Sequence, residues 1–139
     1  MTIIVTDTGF GTETWTQGFV PTNEAANDVV SLDVTSDTDP ATLKDRLCGV
    51  GMIRVDFPSF ADGRGFTIAR QLRLAGYQGR LRAKGHLISD QYAMARRSGF
   101  DEVEISDDLA ARQPEAEWLF RADWQENDYQ ARMRGAKTA

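Results

Sequence analysis

The stretch GRLRAKGH, residues 79–86, lies between two segments of helical periodicity, and its reading decides the fold. At the two-residue period of a β-strand, Arg80, Arg82 and Lys84 fall on one face and Leu81, Ala83 and Gly85 on the other. Strands that alternate with helices form parallel sheets, which are usually covered on both faces and read as continuous apolar runs. A basic stripe in that setting has to be neutralised, because an unpaired buried cation costs several kcal/mol even after relaxation. The segment 61–100 holds only Asp62 and Asp90 as acids, so the partners are expected from the acidic flanks, a second copy of the chain or a ligand. Arg80, at the strand's start, is expected to be a surface or ion-pair residue. Lys84, at its end, should face the edge where ligands bind, and Arg82 should turn to the interior and support a site from below.

Working outward, three junctions share one pattern: a helical segment, then glycine, then an apolar or aromatic residue, then a strand. They are Gly49-Val50 before MIRVDF, Gly76-Tyr77 before RLRAK and Gly99-Phe100 before EVEIS, at spacings of 27 and 23 residues. Glycine suits the left-handed position that ends a helix before a strand begins. Between Asp62 and Gly76, Ile68, Ala69, Leu72 and Ala75 recur at helical spacing, with Arg70 and Arg73 off the stripe. The next helix is expected to start with Ser89 as its cap, with Asp90 in the first turn and Arg96 and Arg97 in the last, matching the helix dipole. Upstream, VVSLDV at 29–34 reads as a strand and DPATLKDRLC at 39–48 as a helix, with Asp39 as cap and Pro40 in first position. IIVTD and the stretch around Trp15 to Val20 read as short edge strands or a hairpin.

The pattern predicts an α/β fold, a small parallel sheet of at least four strands with alternating helices, either open or an incomplete β/α barrel. One domain is expected over 1–139: peripheral strands in 1–28, the parallel core in 29–105, and a helical or irregular tail in 106–139. Packing on the parent domain is the expected role of the tail's Trp118, Leu119, Phe120, Trp124 and Tyr129, with a partner contact as the alternative.

Apolar residues make up 41% of the chain and charged residues 27%, an ordinary globular composition. No run reaches the length of a membrane span, and MTIIVTDTGF lacks the basic start and apolar core of a secretory signal, so the cytoplasm is the expected compartment. The single Cys48 cannot form an internal disulfide and has no neighbouring cysteine or histidine, which argues against a metal site. The net charge of −5 conceals a segregation: residues 1–60 carry 3 basic and 9 acidic groups, residues 61–100 carry 8 and 2, and residues 101–139 carry 5 and 10. An acidic chain is a poor generic nucleic-acid binder. Its basic middle suits a local anion site or internal pairing with the flanks.

Two loops leave predicted strands and open helices on the edge of the sheet where α/β proteins bind ligands. FPSFADGRG offers Gly63 and Gly65 for close backbone approach, the N–H groups of 63–66 and the planar fork of Arg64. KGHLISD places Lys84 and His86 around Gly85. Neither loop is a Walker loop or a GxGxxG fingerprint. The plainer reading is that Asp62 caps a helix and the glycines shape a turn. His86 is the sole histidine, the residue type suited to proton transfer in neutral solution, although a lone histidine is more often structural or merely exposed. The candidate anion site is therefore Asp62, Gly63, Arg64, Gly65, Arg82, Lys84, His86 and Asp90, with Asp62 or Asp90 as positioning groups and no catalytic residue assigned.

Taken together, Phe57 to Gly65, Leu72-Arg73, Gly79 to Ala83, Asp90-Gln91 and Gly99 to Asp101 resemble the pattern of the bacterial domain-of-unknown-function family 934, over about residues 50–105. Where that pattern commonly has Gly-Asp, this chain has Gly85-His86. The resemblance implies proteins encoded beside assimilatory sulfite reductase and labelled as oxidoreductases of sulfite reduction. The residues themselves carry no flavin or nicotinamide fingerprint, no iron–sulfur cysteine set and no haem-ligating motif, so no cofactor is assigned. The expectation is an accessory protein of sulfite assimilation that binds a small anion or phosphorylated ligand. The alternative is a non-catalytic subunit that docks through its basic segment to the reductase or to a second copy of itself.

Overall fold

Gly49, Gly76 and Gly99 all adopt left-handed φ, at 82°, 99° and 118°, in the computed structural model of the chain. The structure describes residues 2–21, 30–47, 49–59 and 61–120, with the backbone alone for 44–46. At each junction the residue after the glycine, Val50, Tyr77 or Phe100, is buried. Tyr77 N–H donates to Leu72 O (3.1 Å) and Phe100 N–H to Ala95 O (3.0 Å), closing the helix ends over those apolar anchors.

Seven strands form one sheet: β1 (Thr2–Thr6), β2 (Gly9–Gly11), β3 (Val20–Pro21), β4 (Ser31–Val34), β5 (Met52–Phe57), β6 (Arg80–Gly85) and β7 (Glu102–Ser106), in the spatial order β2-β1-β7-β6-β5-β4-β3. Strands β3 to β7 are mutually parallel, while β1 runs antiparallel to β7 and pairs with β2 as a hairpin. The fold is α/β, and the sheet stays open and is not closed into a barrel. The parallel strands are laid down in sequence order without reversal, and right-handed crossovers then put every connecting helix on the same face. Leu32, Val34, Ile53, Val55, Phe57, Leu81, Ala83, Val103 and Ile105 form a single core with Leu43, Ile68, Ala69, Leu72, Tyr92 and Ala95 from those connections.

The crossovers are a 3-10 helix (Pro40–Arg46), α1 (Arg64–Leu74), and a 3-10 turn (Ser89–Gln91) leading into α2 (Tyr92–Ser98). Asp39 caps the first through Ala41 N–H (3.0 Å), with Pro40 in its first turn, as expected. Ala75 departs from the expected stripe. It is the exposed C-cap of α1, because the helix ends one turn too early to turn it inward. Ser89 is not a side-chain cap either: it lies inside the turn, and Gln91 reaches back to the Ile88 N–H (3.0 Å). After β7 the Ser106 hydroxyl accepts from Leu109 N–H (3.2 Å) and opens α3 (Asp107–Arg112), and Pro114 separates it from α4 (Glu115–Phe120). Trp118 is buried edge-to-face against Tyr92 (6.1 Å) and donates to Gln113 O (2.8 Å), so it packs on its own domain, whereas Leu119 and Phe120, on the outer side of the same short helix, are exposed. Cys48, Trp124 and Tyr129 lie outside the described residues.

Candidate functional site

The sheet face away from the helices carries the charges. Along it the register places Asp33 beside Arg54, Arg54 beside Arg82, Arg82 beside Glu102, and Lys84 between Asp56 and Glu104. Arg82 is fully buried there. Four hydrogen bonds hold its guanidinium, from Nε to Glu102 (2.8 Å), from Nη1 to Glu104 (2.8 Å) and Glu13, and from Nη2 to Glu13 (2.7 Å), and Nη2 is also in ion-pair contact with Glu102 (2.7 Å). Burial opposes the Arg82 charge, but hydrogen bonds and the charges of Glu13, Glu102 and Glu104 outweigh it and push its pKa above the ordinary value. Arg54 binds Asp33 in bidentate fashion (3.1 and 2.8 Å) and reaches Glu104 (3.2 Å), and Arg80 binds Glu102 (2.6 Å).

Residues 12–19 run from β2 at one side of the sheet to β3 at the other and cover this network. Glu13 forms the Arg82 pair, and Thr14 accepts from Arg80 (3.1 Å). The rings of Trp15 and Phe19 lie against Arg80 (5.8 Å) and Arg54 (3.8 Å). Aromatic faces and planar guanidinium groups attract one another, so a charged layer can be covered by few apolar residues. Arg80 and Arg82 therefore find their partners in the acidic flanks. Arg82 sits beneath the strand ends, fully buried among three carboxylates and closed to an external anion. Lys84 differs: half-buried one residue from the end of β6, it forms no hydrogen bond or ion pair among the described residues.

At the C-terminal edge the loop after β5 meets the loop after β4. Arg64 grips Asp62 through Nε (3.0 Å) and Nη2 (2.7 Å), and Nη2 also reaches Ser36 Oγ (3.1 Å). Asp62 Oδ1 accepts the Arg64 backbone N–H as well (3.1 Å), so this carboxylate stands where an external anion would meet the start of α1. The Arg64 side chain, then its N–H, with a smaller contribution from Ser36, hold the Asp62 carboxyl well below the usual carboxylate range. Arg64 Nη1 has no partner among the described residues. The guanidinium is exposed and lines a cleft of about 330 Å³ with Ser36, Asp37, Thr38, Pro40, Thr67 and Ile68.

The remaining expected site residues are dispersed. Gly63 faces open space, with Phe66 3.9 Å from the position its Cβ would take. The space above Gly65 is filled by the Phe57 ring, with which a Cβ would collide, so this glycine serves core packing. His86 is exposed, and its backbone N–H continues the pairing with Phe57 O (3.0 Å). Neither Lys84 nor His86 bonds to the 62–65 turn. Asp90 lines a separate cleft of about 490 Å³ with Gln113, Glu117 and Phe120. Sequence reasoning missed Ser36, Thr38 and Thr67 as cleft residues, because nothing local marks a loop as the neighbour of a helix 28 positions away. It also missed Arg54, whose alternation with Asp56 in MIRVDF carried the same signal as GRLRAK. Among the described residues no group of histidine, cysteine, aspartate and glutamate is placed to hold a metal, and no helix is long and apolar enough to cross a membrane.

An open, singly wound α/β sheet with one helical face and one charged face is the class that fold and site define. The family described as a bacterial protein of unknown function, DUF934, matches residues 31–139, and the chain belongs to that family. Neither the curated proteins nor the solved structures contain a match to it.

Proposed function

We propose that this protein binds a small oxyanion in the cleft between the loop after β4 and the first turn of α1, and serves sulfite assimilation as an accessory protein. The observation that carries this is the state of Arg64. Its fork is held rigid by Asp62 and Ser36, one edge of the guanidinium is unsatisfied among the described residues, and hydroxyl groups of Ser36, Thr38 and Thr67 surround the same 330 Å³ space. A pre-oriented guanidinium edge with nearby hydroxyls suits an oxyanion, because little ordering is left to be done on binding. Sulfite is the oxyanion that the resemblance of residues 50–105 suggests. Titration calorimetry of the full chain with sodium sulfite tests the proposal: wild type should bind and Arg64→Ala should weaken binding at least several-fold, whereas equal heats from the two proteins would refute it.

A second reading, docking to the reductase, is favoured by one observation. Arg73, Arg80 and Arg96 line an open cleft of about 750 Å³ at the opposite edge of the sheet, with Asp101 as the acid among its lining. Arg73 donates to the carbonyls of Gly99, Tyr77 and Gly79 (2.8–3.0 Å) and pairs with Asp101 (3.0 Å), while Arg80 pairs with Glu102 (2.6 Å) and Arg96 with Asp7 (3.2 Å), so the cleft presents paired charges that an acidic partner would have to share. Binding of purified reductase that weakens with salt and with Arg80→Glu would favour this reading over the first.

A further inference from the structure

We infer that the cleft selects an oxyanion that still carries a proton, such as hydrogensulfite or dihydrogenphosphate, over a fully ionised one such as sulfate. This rests on the cleft being an oxyanion site and names which oxyanion fits it. The lining contributes one cation, Arg64, and one carboxylate, Asp37. Arg64 is already neutralised by the bidentate Asp62 pair. Asp37 accepts from the Thr35 hydroxyl and interacts with the Arg64 charge across the cleft without forming an ion pair with it. The three groups Arg64, Asp62 and Asp37 together are therefore net negative.

Such a wall treats dihydrogenphosphate and sulfate, tetrahedral ions of nearly the same size, differently. A ligand oxygen can accept from the free Arg64 edge and from the Thr67 hydroxyl whatever its protonation, whereas the Ser36 hydroxyl is directed at Asp62 and the Thr38 hydroxyl at Thr35, whose own hydrogen goes to Asp37. The Asp37 carboxylate only accepts. Sulfate has no hydrogen to offer it and brings two negative charges, whereas a protonated oxyanion brings one charge and an O–H donor. A group that attracts one ligand and repels its isostere is how selectivity is built when shape cannot distinguish them. Asp37 also serves its turn, in which Thr38 N–H bonds to Thr35 O (3.1 Å), and that structural duty holds the carboxylate at the cleft rim. The Thr35 hydroxyl, and then the Asp37 backbone N–H, lower the Asp37 pKa, so it stays ionised in mildly acidic solution where phosphate and sulfite retain a proton. Because Asp37 is exposed, the selectivity is that of a solvated interaction, about two- to fivefold.

The experiment is calorimetric titration of the full chain with sodium phosphate, sodium sulfite and sodium sulfate at one mildly acidic pH and constant ionic strength, for wild type, Asp37→Asn and Arg64→Ala. The expected result is tighter binding of phosphate and sulfite than of sulfate by wild type, with the preference lost in Asp37→Asn. Sulfate binding as tightly as the others in wild type, or a preference that survives in Asp37→Asn, overturns the inference while leaving the oxyanion site standing. No binding of any of the three, or full binding by Arg64→Ala, removes the site itself and the inference with it.

Discussion

Replacing Arg82 by methionine removes the centre of the charged layer without opening a large void. The residue is fully buried and hydrogen-bonds Glu13, Glu102 and Glu104. Truncating one partner of a buried ion pair costs about 3–5 kcal/mol, because the other charges are left uncompensated. The lower end applies here, since Glu102 keeps Arg80 at 2.6 Å and Glu104 keeps Arg54 at 3.2 Å. About 3 kcal/mol corresponds to roughly 10 °C in melting temperature for a domain of this size. Thermal and urea denaturation followed by circular dichroism at neutral pH measure it. Arg82→Lys provides the control: it keeps the charge but not the planar fork, so it should recover only part of the loss. The difference should change little with added salt, because buried charges are poorly screened. A melting temperature within about 3 °C of wild type for Arg82→Met would refute the account of this face as an essential ion network.

Gly65→Ala should cost about 1–3 kcal/mol, because its Cβ would meet the Phe57 ring, while Gly63→Ala should be close to neutral; urea melts of the two compare them directly. Lys84→Ala should leave stability within about 0.5 kcal/mol of wild type in urea melts, since the side chain forms no bond among the described residues. The Glu13 pKa is lowered from its ordinary 4.5, first by the hydrogen bond from Arg82. Its stabilising contribution is therefore complete above that ordinary value and lost as pH falls through the folded-state value. Glu13 is over a third exposed, so the contribution is at most about 1 kcal/mol, and Glu13→Gln should flatten the acid limb of a stability–pH curve by no more than that.

How much was legible from sequence depended on the range over which each residue acts. The glycine after each helix, the Asp39-Pro40 start and the Ile68, Ala69 and Leu72 stripe depend on neighbours within a few positions, and each is found as expected. Ala75 and Ser89 failed at helix boundaries, where one residue decides whether a side chain caps, packs or faces water. Gly65 illustrates the other kind of failure. A glycine at a helix start reads equally well as a place for a ligand or as room for a ring, and only the position of Phe57, eight residues earlier, distinguishes them.

By itself, the sequence determined that this chain forms a parallel α/β sheet and that a basic strand within it needs acidic partners, because periodicity, helix ends and charge balance are local or additive properties. Only the tertiary structure decided which carboxylates answer which arginines. Glu102 and Glu104 lie beside Arg82 because β7 is the neighbour of β6, and Glu13 reaches it because residues 12–19 cross the sheet from one edge to the other. It also decided that Arg82 is consumed and Arg64 is not. Whether a guanidinium keeps a free edge depends on every strand and loop brought within about 3 Å of it, and no stretch of neighbouring residues encodes that count.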